Sequence, residues 1–182
     1  MLMKAGGFTL LETLLAMAMG SVMLLGAART LPLLQQQNLR LQIGVQLNEE
    51  LQQIVQTLDK SARRAGYCHG HCRGEAMQIR NGGHCLLVRW DENSNGQWES
   101  PGREDSDYYG FRLRARNLEM QRGVDRCEGG GWEKLNDPRV IAIDDFRVDR
   151  NQRQIRLFLK GSSSIWPAQV QQVAHWLLAE NL

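Results

Sequence analysis

The first apolar segment of the chain is long enough to cross a membrane and contains one acidic residue. Residues 8–28 read FTLLETLLAMAMGSVMLLGAA, with Glu12 as the only charged side chain, Lys4 before the segment and Arg29 after it. A helix rises about 1.5 Å per residue, so this segment spans about 31 Å, close to the hydrocarbon thickness of about 30 Å. The pattern therefore predicts a transmembrane helix over residues 8–28.

A second apolar pattern with helical spacing follows the membrane segment. Apolar side chains recur every three or four residues at Leu47, Leu51, Ile54, Leu58, Ala62 and Ala65. This spacing is typical of an amphipathic helix, and Gly66 after two arginines supplies a stop signal. We predict that the helix continues to about residue 66, with a kink or a restart at Pro32, which lacks an amide hydrogen.

The remainder of the chain has the pattern of a β-sheet. Five segments rich in branched or aromatic side chains and bounded by turn residues predict strands at 84–90, 108–114, 118–122, 140–148 and 154–160. Residues 170–178 fit either a helix or a strand by periodicity alone. A long helix followed by strands predicts an α+β fold, in which the second half of the helix packs on an antiparallel β-sheet.

Charge and cysteine content indicate the cellular compartment of the domain. Lys plus Arg number 22 and Asp plus Glu 20, a formal net charge of +2 without a basic run, so nucleic acid is disfavoured as a partner. Lys4 on the short side of the apolar segment predicts a cytoplasmic N-terminus and a domain across the membrane. An even number of cysteines in an oxidising compartment predicts disulfides. The candidates are Cys68, Cys72, Cys85 and Cys127, with three connectivities open.

Zinc is the alternative reading of the cysteine-rich segment. Cys68-His69-Gly70-His71-Cys72 and His84-Cys85 contain the side chains that zinc prefers. However, the chain has no second paired cluster, and Cys127 stands alone in a glycine-rich segment. Two disulfides explain all four cysteines without a metal.

Glu12 requires an explanation, because an ionisable side chain near mid-bilayer costs about 2.5 kcal/mol or more. If the chain is cut between Gly7 and Phe8, the new ammonium group of Phe8 lies four residues from Glu12, on the same helical face. The two charges could then neutralise each other, within one chain or between neighbouring chains.

The residues around this position form a processing signal. A short basic leader ends in Gly6 and Gly7, and Phe8-Thr9-Leu10-Leu11-Glu12 opens the apolar helix. This pattern resembles the class III leader of type IV prepilins and type II secretion pseudopilins. The resemblance implies that prepilin peptidase cuts after Gly7 and that the new amino terminus of Phe8 is methylated. It also implies that Glu12 sets the filament register by meeting the N-terminus of a neighbouring subunit.

The resemblance also implies a domain plan and a function. Residues 1–7 form the leader, 8–28 the transmembrane or filament-core helix, 29–66 the amphipathic helix and 67–182 a periplasmic, disulfide-containing, β-rich domain. The layout is similar to the prepilin peptidase-dependent protein B group and implies a pilin-like fold. J-type minor pseudopilins end in a strand, which favours a strand at 170–178.

The resemblance implies a minor pilin that helps to initiate assembly and forms the tip of a type IV pilus or a type II secretion pseudopilus; the sequence leaves the two systems open. The implied partners are prepilin peptidase, other minor and major pilins or pseudopilins, the inner-membrane assembly platform and the lipid bilayer. The implied location is the inner membrane, with a single pass and a periplasmic domain, and then the filament after assembly.

One loop has the pattern of a calcium site. The candidate ligands are Asp91, Asn93, Asn95, Gln97 and Glu99, with Gly96 at the position where a calcium loop turns. Gly102 stands where such loops place a bidentate glutamate, so Glu99, Glu104 or Asp105 would complete the shell. A solvated hairpin loop is the alternative. Structural calcium is the one candidate cofactor.

Other classes of function have less support. The sequence contains no nucleophile elbow, phosphate-binding loop or His-Glu-x-x-His motif, so we expect no enzyme activity. A secretory signal peptide cut near Gly26–Ala28, or a plain signal anchor, leaves Glu12 unexplained. The functional alternatives are a membrane-anchored periplasmic binding module, for example for DNA during uptake, and a secreted enzyme.

Overall fold

The computed structural model describes residues 9–182, which form one long helix followed by strands. The elements are α1 (Leu10–Arg64), β1 (Met77–Arg80), β2 (Cys85–Arg89), β3 (Tyr108–Arg114), β4 (Asn117–Arg122), β5 (Glu133–Lys134), β6 (Ile141–Asn151), β7 (Gln154–Ser163) and β8 (Val170–Leu178). The α+β prediction, with a long N-terminal helix packed on antiparallel strands, is confirmed. Contacts divide the chain into two units, one ending at Gln42 and one formed by Ile43–Leu182.

The unit that ends at Gln42 consists of the first part of α1. The helix begins after Thr9, whose Oγ1 accepts the N–H of Glu12 at 3.4 Å, as a helix N-cap does. By length and composition α1 can cross a membrane, and none of its most apolar stretch is buried in the structure. The exposed apolar surface is therefore consistent with a membrane anchor.

The second unit contains two antiparallel sheets. One has five strands in the order β1-β2-β3-β4-β5, and the other has three in the order β6-β7-β8. Leu86 lies opposite Phe111 in the first sheet, and Leu157 lies opposite His175 in the second. A β-bulge interrupts the β6–β7 register between Ile143 and Asp145.

The core of this unit collects the apolar faces that the sequence pattern predicts. The α1 residues Leu47, Leu51 and Leu58 are buried in one cluster with Phe111 of β3 and Phe146 of β6. Burial at intervals of three and four along the helix is the amphipathic pattern expected from the sequence. The helix therefore contributes one apolar face to a core shared with both sheets.

Gly161 of β7 lets α1 come close to this strand. A Cβ added at Gly161 would lie 3.0 Å from Leu51 Cδ2 and 3.2 Å from the Ala142 carbonyl oxygen. A Cβ here would require the Leu51 side chain and the Ala142 carbonyl to give way slightly, because the core is close-packed. The absence of a side chain at this position thus fixes how closely the helix packs.

The structure differs from the predicted elements in three respects. All five predicted strands are present, β3 with the predicted bounds and the other four with shifted ends, but β1 and β5 were missed, because β1 has four residues and β5 only two. The predicted restart at Pro32 is wrong, since α1 runs through it without a break. Thr30 Oγ1 lies 3.3 Å from the carbonyls of Gly26 and Ala27, and such side-chain bonds accompany proline inside apolar helices.

The last segment, ambiguous by periodicity, is the strand β8. It pairs with β7 from Gln154 opposite Leu178 to Ser162 opposite Val170, and it is one of the two edge strands of the sheet. Leu177 is buried, whereas Trp176 and Leu178 are 55% and 60% exposed. The alternation gives β8 one core face and one exposed apolar face.

Candidate functional site

The predicted processing site lies mostly outside the described residues. Gly7 and Phe8 are outside them, and the structure describes the chain from Thr9 onward. Glu12 is exposed in the first turn of α1, where its N–H donates to Thr9 Oγ1. Thr9 and Glu12 have the spacing of a capping box, a signal that the sequence analysis missed. Glu12 is thus at the very start of the helix, where a negative charge is favourable.

Two disulfides join the four cysteines. Cys68 pairs with Cys72, and Cys85 pairs with Cys127, with Cα–Cα distances of 6.0 and 6.2 Å. Cys85 and Cys127 are buried with Leu87, whereas Cys68 and Cys72 are partly exposed. No cysteine is free, so in this pairing none offers a thiolate to zinc.

The loop between β2 and β3, residues 90–107, is folded around Asp91. Asp91 is 1% exposed, and its Oδ2 accepts the N–H groups of His69 at 3.0 Å and Gly96 at 2.9 Å. Its Oδ1 accepts the N–H of Asn95 at 3.0 Å. Burial raises the pKa of Asp91, but these backbone donors outweigh it, so the net pKa is below its usual value. The carboxylate therefore closes the turn.

The side chains of Asn93 and Asn95 stabilise the next part of this turn. Asn93 Oδ1 accepts the N–H of Asn95 at 3.0 Å, and Asn95 Oδ1 accepts the N–H of Gln97 at 3.1 Å. Gly96 has a φ of +89°, a left-handed conformation that favours glycine. Gln97 itself is exposed. Asn93 and Asn95 are exposed as well, and their side-chain oxygens accept backbone N–H groups of the turn.

A pair of buried acids lies beneath this turn. Glu99 is 9% exposed and Asp107 is fully buried. Asp107 Oδ2 accepts the N–H of Glu99 at 3.3 Å, and Asp107 N–H donates to the Glu99 carbonyl at 3.3 Å. Asp107 Oδ1 accepts the N–H of Glu92 at 3.2 Å. These bonds fasten the middle of the loop to the residue that precedes β3.

The two carboxyl groups affect each other's ionisation. Burial, followed by the contact with Glu99, raises the pKa of Asp107 to about 6. Hydrogen bonds from Asp107 and then Asn95 lower the pKa of Glu99. Asn95 Nδ2 donates to Glu99 Oε1 at 2.6 Å, whereas Glu99 Oε2 is buried without a hydrogen-bond partner. Glu99 and Asp107 therefore interact directly, and Asp107 is the member of the pair that takes up a proton first as the pH falls.

The acids considered for completing the loop lie in different surroundings. Glu104 and Asp105 are exposed, and Asp105 pairs with Arg103 at 2.8 Å. Asp107, which the sequence analysis did not consider, meets Glu99 instead. No local motif marks Asp107, because its contacts join residues eight and fifteen positions apart.

Among the described residues, one group of three potential metal ligands lies within ligand distance. It consists of Cys68, Cys72 and Asp91, with the ligand atoms within 4.8 Å of one another. Its sulfur atoms already form a disulfide. This group therefore has no thiolate for a metal in the oxidised protein.

A groove of about 590 Å³ lies beside the last turns of α1. In it, His175 Nε2 lies 2.8 Å from Asp59 Oδ1, and Arg63 Nε lies 2.9 Å from Asp59 Oδ2. Burial raises the pKa of Asp59, but the hydrogen bonds from Arg63 and His175 outweigh it, so its pKa is below the usual value. The cluster joins α1 to β8.

Comparison with known proteins places the chain in a family. The profile of "Prepilin peptidase-dependent protein B" matches residues 40–178. A protein of Escherichia coli (strain K12) named prepilin peptidase-dependent protein B is 49% identical over 147 residues, which cover 81% of this chain and 79% of that protein. No solved structure matches the chain. The predicted similarity to this group is thus confirmed, and the chain belongs to the prepilin peptidase-dependent protein B family.

Proposed function

We propose that the protein is a minor pilin, or pseudopilin-like, subunit that prepilin peptidase processes and that helps to initiate filament assembly, at the tip of a type IV pilus or a type II secretion pseudopilus. The observation that carries the proposal is the family membership, supported by a leader outside the matched region. The family profile matches residues 40–178, whereas the Gly6-Gly7-Phe8 signal lies at the N-terminus. Two separate parts of the chain therefore lead to the same function.

The exposed surface of α1 supports a role in association. Beyond the predicted membrane segment, Leu31, Leu34 and Leu41 are 57%, 57% and 68% exposed. They recur at intervals of three and seven, with Asn38 between them, so they lie along one face of the helix. Leucine exposed at this density gains stability when a neighbouring apolar helix covers it. In the proposal, helices of other minor or major pilins provide that cover.

Glu12 would act at the start of the same helix. The exposed carboxylate in the first turn is accessible to the amino terminus of a neighbouring subunit. In the bilayer that ion pair would offset the cost of a charged side chain. We therefore propose that Glu12 sets the position of the subunit along the filament, after Phe8 has become the methylated N-terminus.

The chemistry proposed for this subunit is binding rather than catalysis. Its partners are prepilin peptidase, the assembly platform of the inner membrane, the bilayer and other pilins or pseudopilins. The N-terminus would remain cytoplasmic, with Ile43–Leu182 on the periplasmic side. The subunit would wait in the inner membrane before it enters the filament.

The experiment that tests the proposal is the intact mass of the chain isolated from membranes, with and without prepilin peptidase. We expect the mass of a chain that begins at methylated Phe8 only when the peptidase is present. The matched variant Gly7→Val should keep the full-length mass in both strains. An uncut wild-type chain, or a cut near Ala28, in the strain with the peptidase would refute the proposal.

A second measurement separates assembly from binding of nucleic acid. Crosslinking in membranes should capture other minor pilins through the processed subunit, and Glu12→Gln should reduce that capture more than Glu49→Gln. A DNA binder would instead retain DNA with an affinity that falls steeply as salt increases. Salt-dependent DNA retention without pilin crosslinks would contradict the assembly role.

A further inference from the structure

The strand β8 is the longest sheet edge that the rest of the described chain leaves open. It pairs with β7 along its whole length and with no other described strand. The opposite edge, β6, is held against the first sheet, because Ile143 N–H donates to the Arg116 carbonyl at 2.9 Å. The edges of the first sheet, β1 and β5, have only four and two residues. An open edge such as β8 presents a row of backbone N–H and C=O groups to an incoming strand.

Two surfaces flank this edge, one on each face of the sheet. On the outer face, Val170, Trp176 and Leu178 are 44%, 55% and 60% exposed, and their even spacing places them on one side of the strand. On the inner face, His175 bonds to Asp59 of α1 and borders the groove of about 590 Å³. A strand added to β8 would therefore direct its side chains alternately to the apolar outer face and to the groove.

The groove has a surplus of positive charge. Lys60, Arg63 and Arg64 line it together with one acid, Asp59. Asp59 already pairs with Arg63 at 2.9 Å, and Glu180 is the other acid that acts on Arg63 electrostatically. Among residues 9–182, Lys60 forms no ion pair. Complementary charge therefore favours an acidic side chain on the face of the incoming strand that enters the groove.

The direction of β8 argues against a second copy of this chain as the occupant. A Cβ at Gly44 would lie 2.9 Å from Gln169 Nε2, just before β8. Asn181 Nδ2, just after β8, donates to the Arg63 carbonyl at 3.3 Å, so α1 and β8 run in the same direction. Two copies of one edge pair most simply as antiparallel strands about a two-fold axis, which would turn residues 43–64 of the two copies in opposite directions. Subunits of one filament share one direction, so this pairing does not fit the proposed assembly role.

We propose that the β8 edge binds an extended segment of a different subunit, which adds a strand to the sheet and carries an acidic side chain beside Lys60. On the outer face, the segment presents apolar side chains to Trp176 and Leu178. Backbone hydrogen bonds supply affinity in such strand addition, and the alternate side chains supply specificity. The inference rests on the proposed assembly role only for the source of the segment, because the edge and the groove belong to the second unit alone.

The first test measures the binding of a designed peptide to the full-length chain in detergent micelles, at a concentration at which sedimentation shows a monomer. The peptide has nine residues, the length of β8, with alternating threonine and valine and a glutamate in place of the central threonine. We expect saturable binding and protection of the amides of residues 170–178 from hydrogen exchange. The same peptide with methylated backbone nitrogens cannot form a strand ladder and should not bind. No binding of the first peptide, or equal binding of the methylated one, would overturn the proposal.

Charge swaps make the test specific to the groove. A lysine in place of the central glutamate should weaken binding to the wild type by about fivefold, and Lys60→Glu should reverse this preference. The matched control is Lys134→Glu on β5, which should discriminate between the peptides as the wild type does. Both lysines are exposed, so neither change removes a buried contact. An unchanged preference in Lys60→Glu would refute the assignment of the acidic side chain to the groove.

A photo-crosslinking side chain at Gln172, an exposed position of β8, identifies the source of the segment in membranes. We expect adducts with an acid-containing segment of a different subunit, and fewer of them in Lys60→Glu. Adducts with a second copy alone would overturn the choice of source. Adducts from Leu34 of α1 without any from Gln172 would refute the β8 inference and leave the assembly role intact. If the N-terminus is uncut, the assembly role fails, and peptide binding still decides whether the edge accepts a strand.

Discussion

Arg112 holds three parts of the second unit together through one guanidinium group. Its Nε lies 2.8 Å from Glu119 Oε2, and its Nη1 donates to the carbonyls of Cys127 at 2.7 Å and Gly129 at 3.1 Å. The same group lies 4.2 Å from the ring centre of Trp132. Since the ion pair is buried, removing one partner leaves an uncompensated charge.

We predict that Arg112→Met lowers the free energy of unfolding by about 3 kcal/mol or more. The matched control is Arg139→Met, which removes an exposed pair with Asp137 and should cost less than about 1 kcal/mol. Urea unfolding of both variants in detergent measures the difference. Equal losses would show that burial of the Arg112 pair has no special effect.

Asp59 gives a prediction about pH. Its carboxylate bonds to Arg63 and His175, so its folded pKa lies below its usual value. The stabilisation is therefore complete above the ordinary pKa of an aspartate and disappears as the pH falls through the lower folded value. Asp59→Asn should lower the free energy of unfolding by about 1 kcal/mol near neutral pH.

This difference between Asp59→Asn and the wild type should shrink below about pH 3.8, where the wild-type carboxylate also takes up a proton. Urea unfolding at several pH values checks this dependence. Glu49→Gln, an exposed change on the same helix, is the control and should show little difference at any pH. A constant difference between Asp59→Asn and the wild type across the range would contradict the interpretation.

At the scale of elements, the two disulfides should differ in their effect on stability. Cys85 and Cys127 are 42 residues apart and connect β2 to the segment after β4, whereas Cys68 and Cys72 are four residues apart. A crosslink that closes a longer loop restricts the unfolded chain more. The Cys85–Cys127 bond is also buried, so its loss disturbs packing as well.

We predict that the double variant Cys85→Ala/Cys127→Ala loses about 4 kcal/mol of unfolding free energy and Cys68→Ala/Cys72→Ala about 2 kcal/mol. Thermal and urea unfolding of the two variants under oxidising conditions measure the losses. A larger effect for the short loop would mean that local order around Cys68 matters more than loop closure.

The elements also show what the sequence could predict. The helix positions that face the core follow from three-and-four spacing, and β3 has the predicted bounds, because both patterns are local and strongly apolar. The register, the cysteine pairing and Asp107 could not be predicted, since each depends on residues distant in the chain. Likewise, the two residues of β5 form a strand by pairing with Glu119 and Met120 of β4, and this pairing could not be read from the local sequence.

For the whole molecule, two independent signals define its class. The family match covers residues 40–178, and the apolar helix lies largely before that region. The near balance of acidic and basic residues, with a net charge of +2, leaves no strong overall field to steer a charged ligand. Shape and apolar contacts, rather than net charge, are therefore expected to select the partners.

The edge strand β8 favours association between copies of the protein at high concentration. Its nine residues contain no lysine, proline or acidic side chain, the features that usually protect a sheet edge. Two of its own residues, Trp176 and Leu178, are exposed. Copies that find no partner can add to one another strand by strand. We therefore expect the purified chain to associate through β8 as its concentration rises.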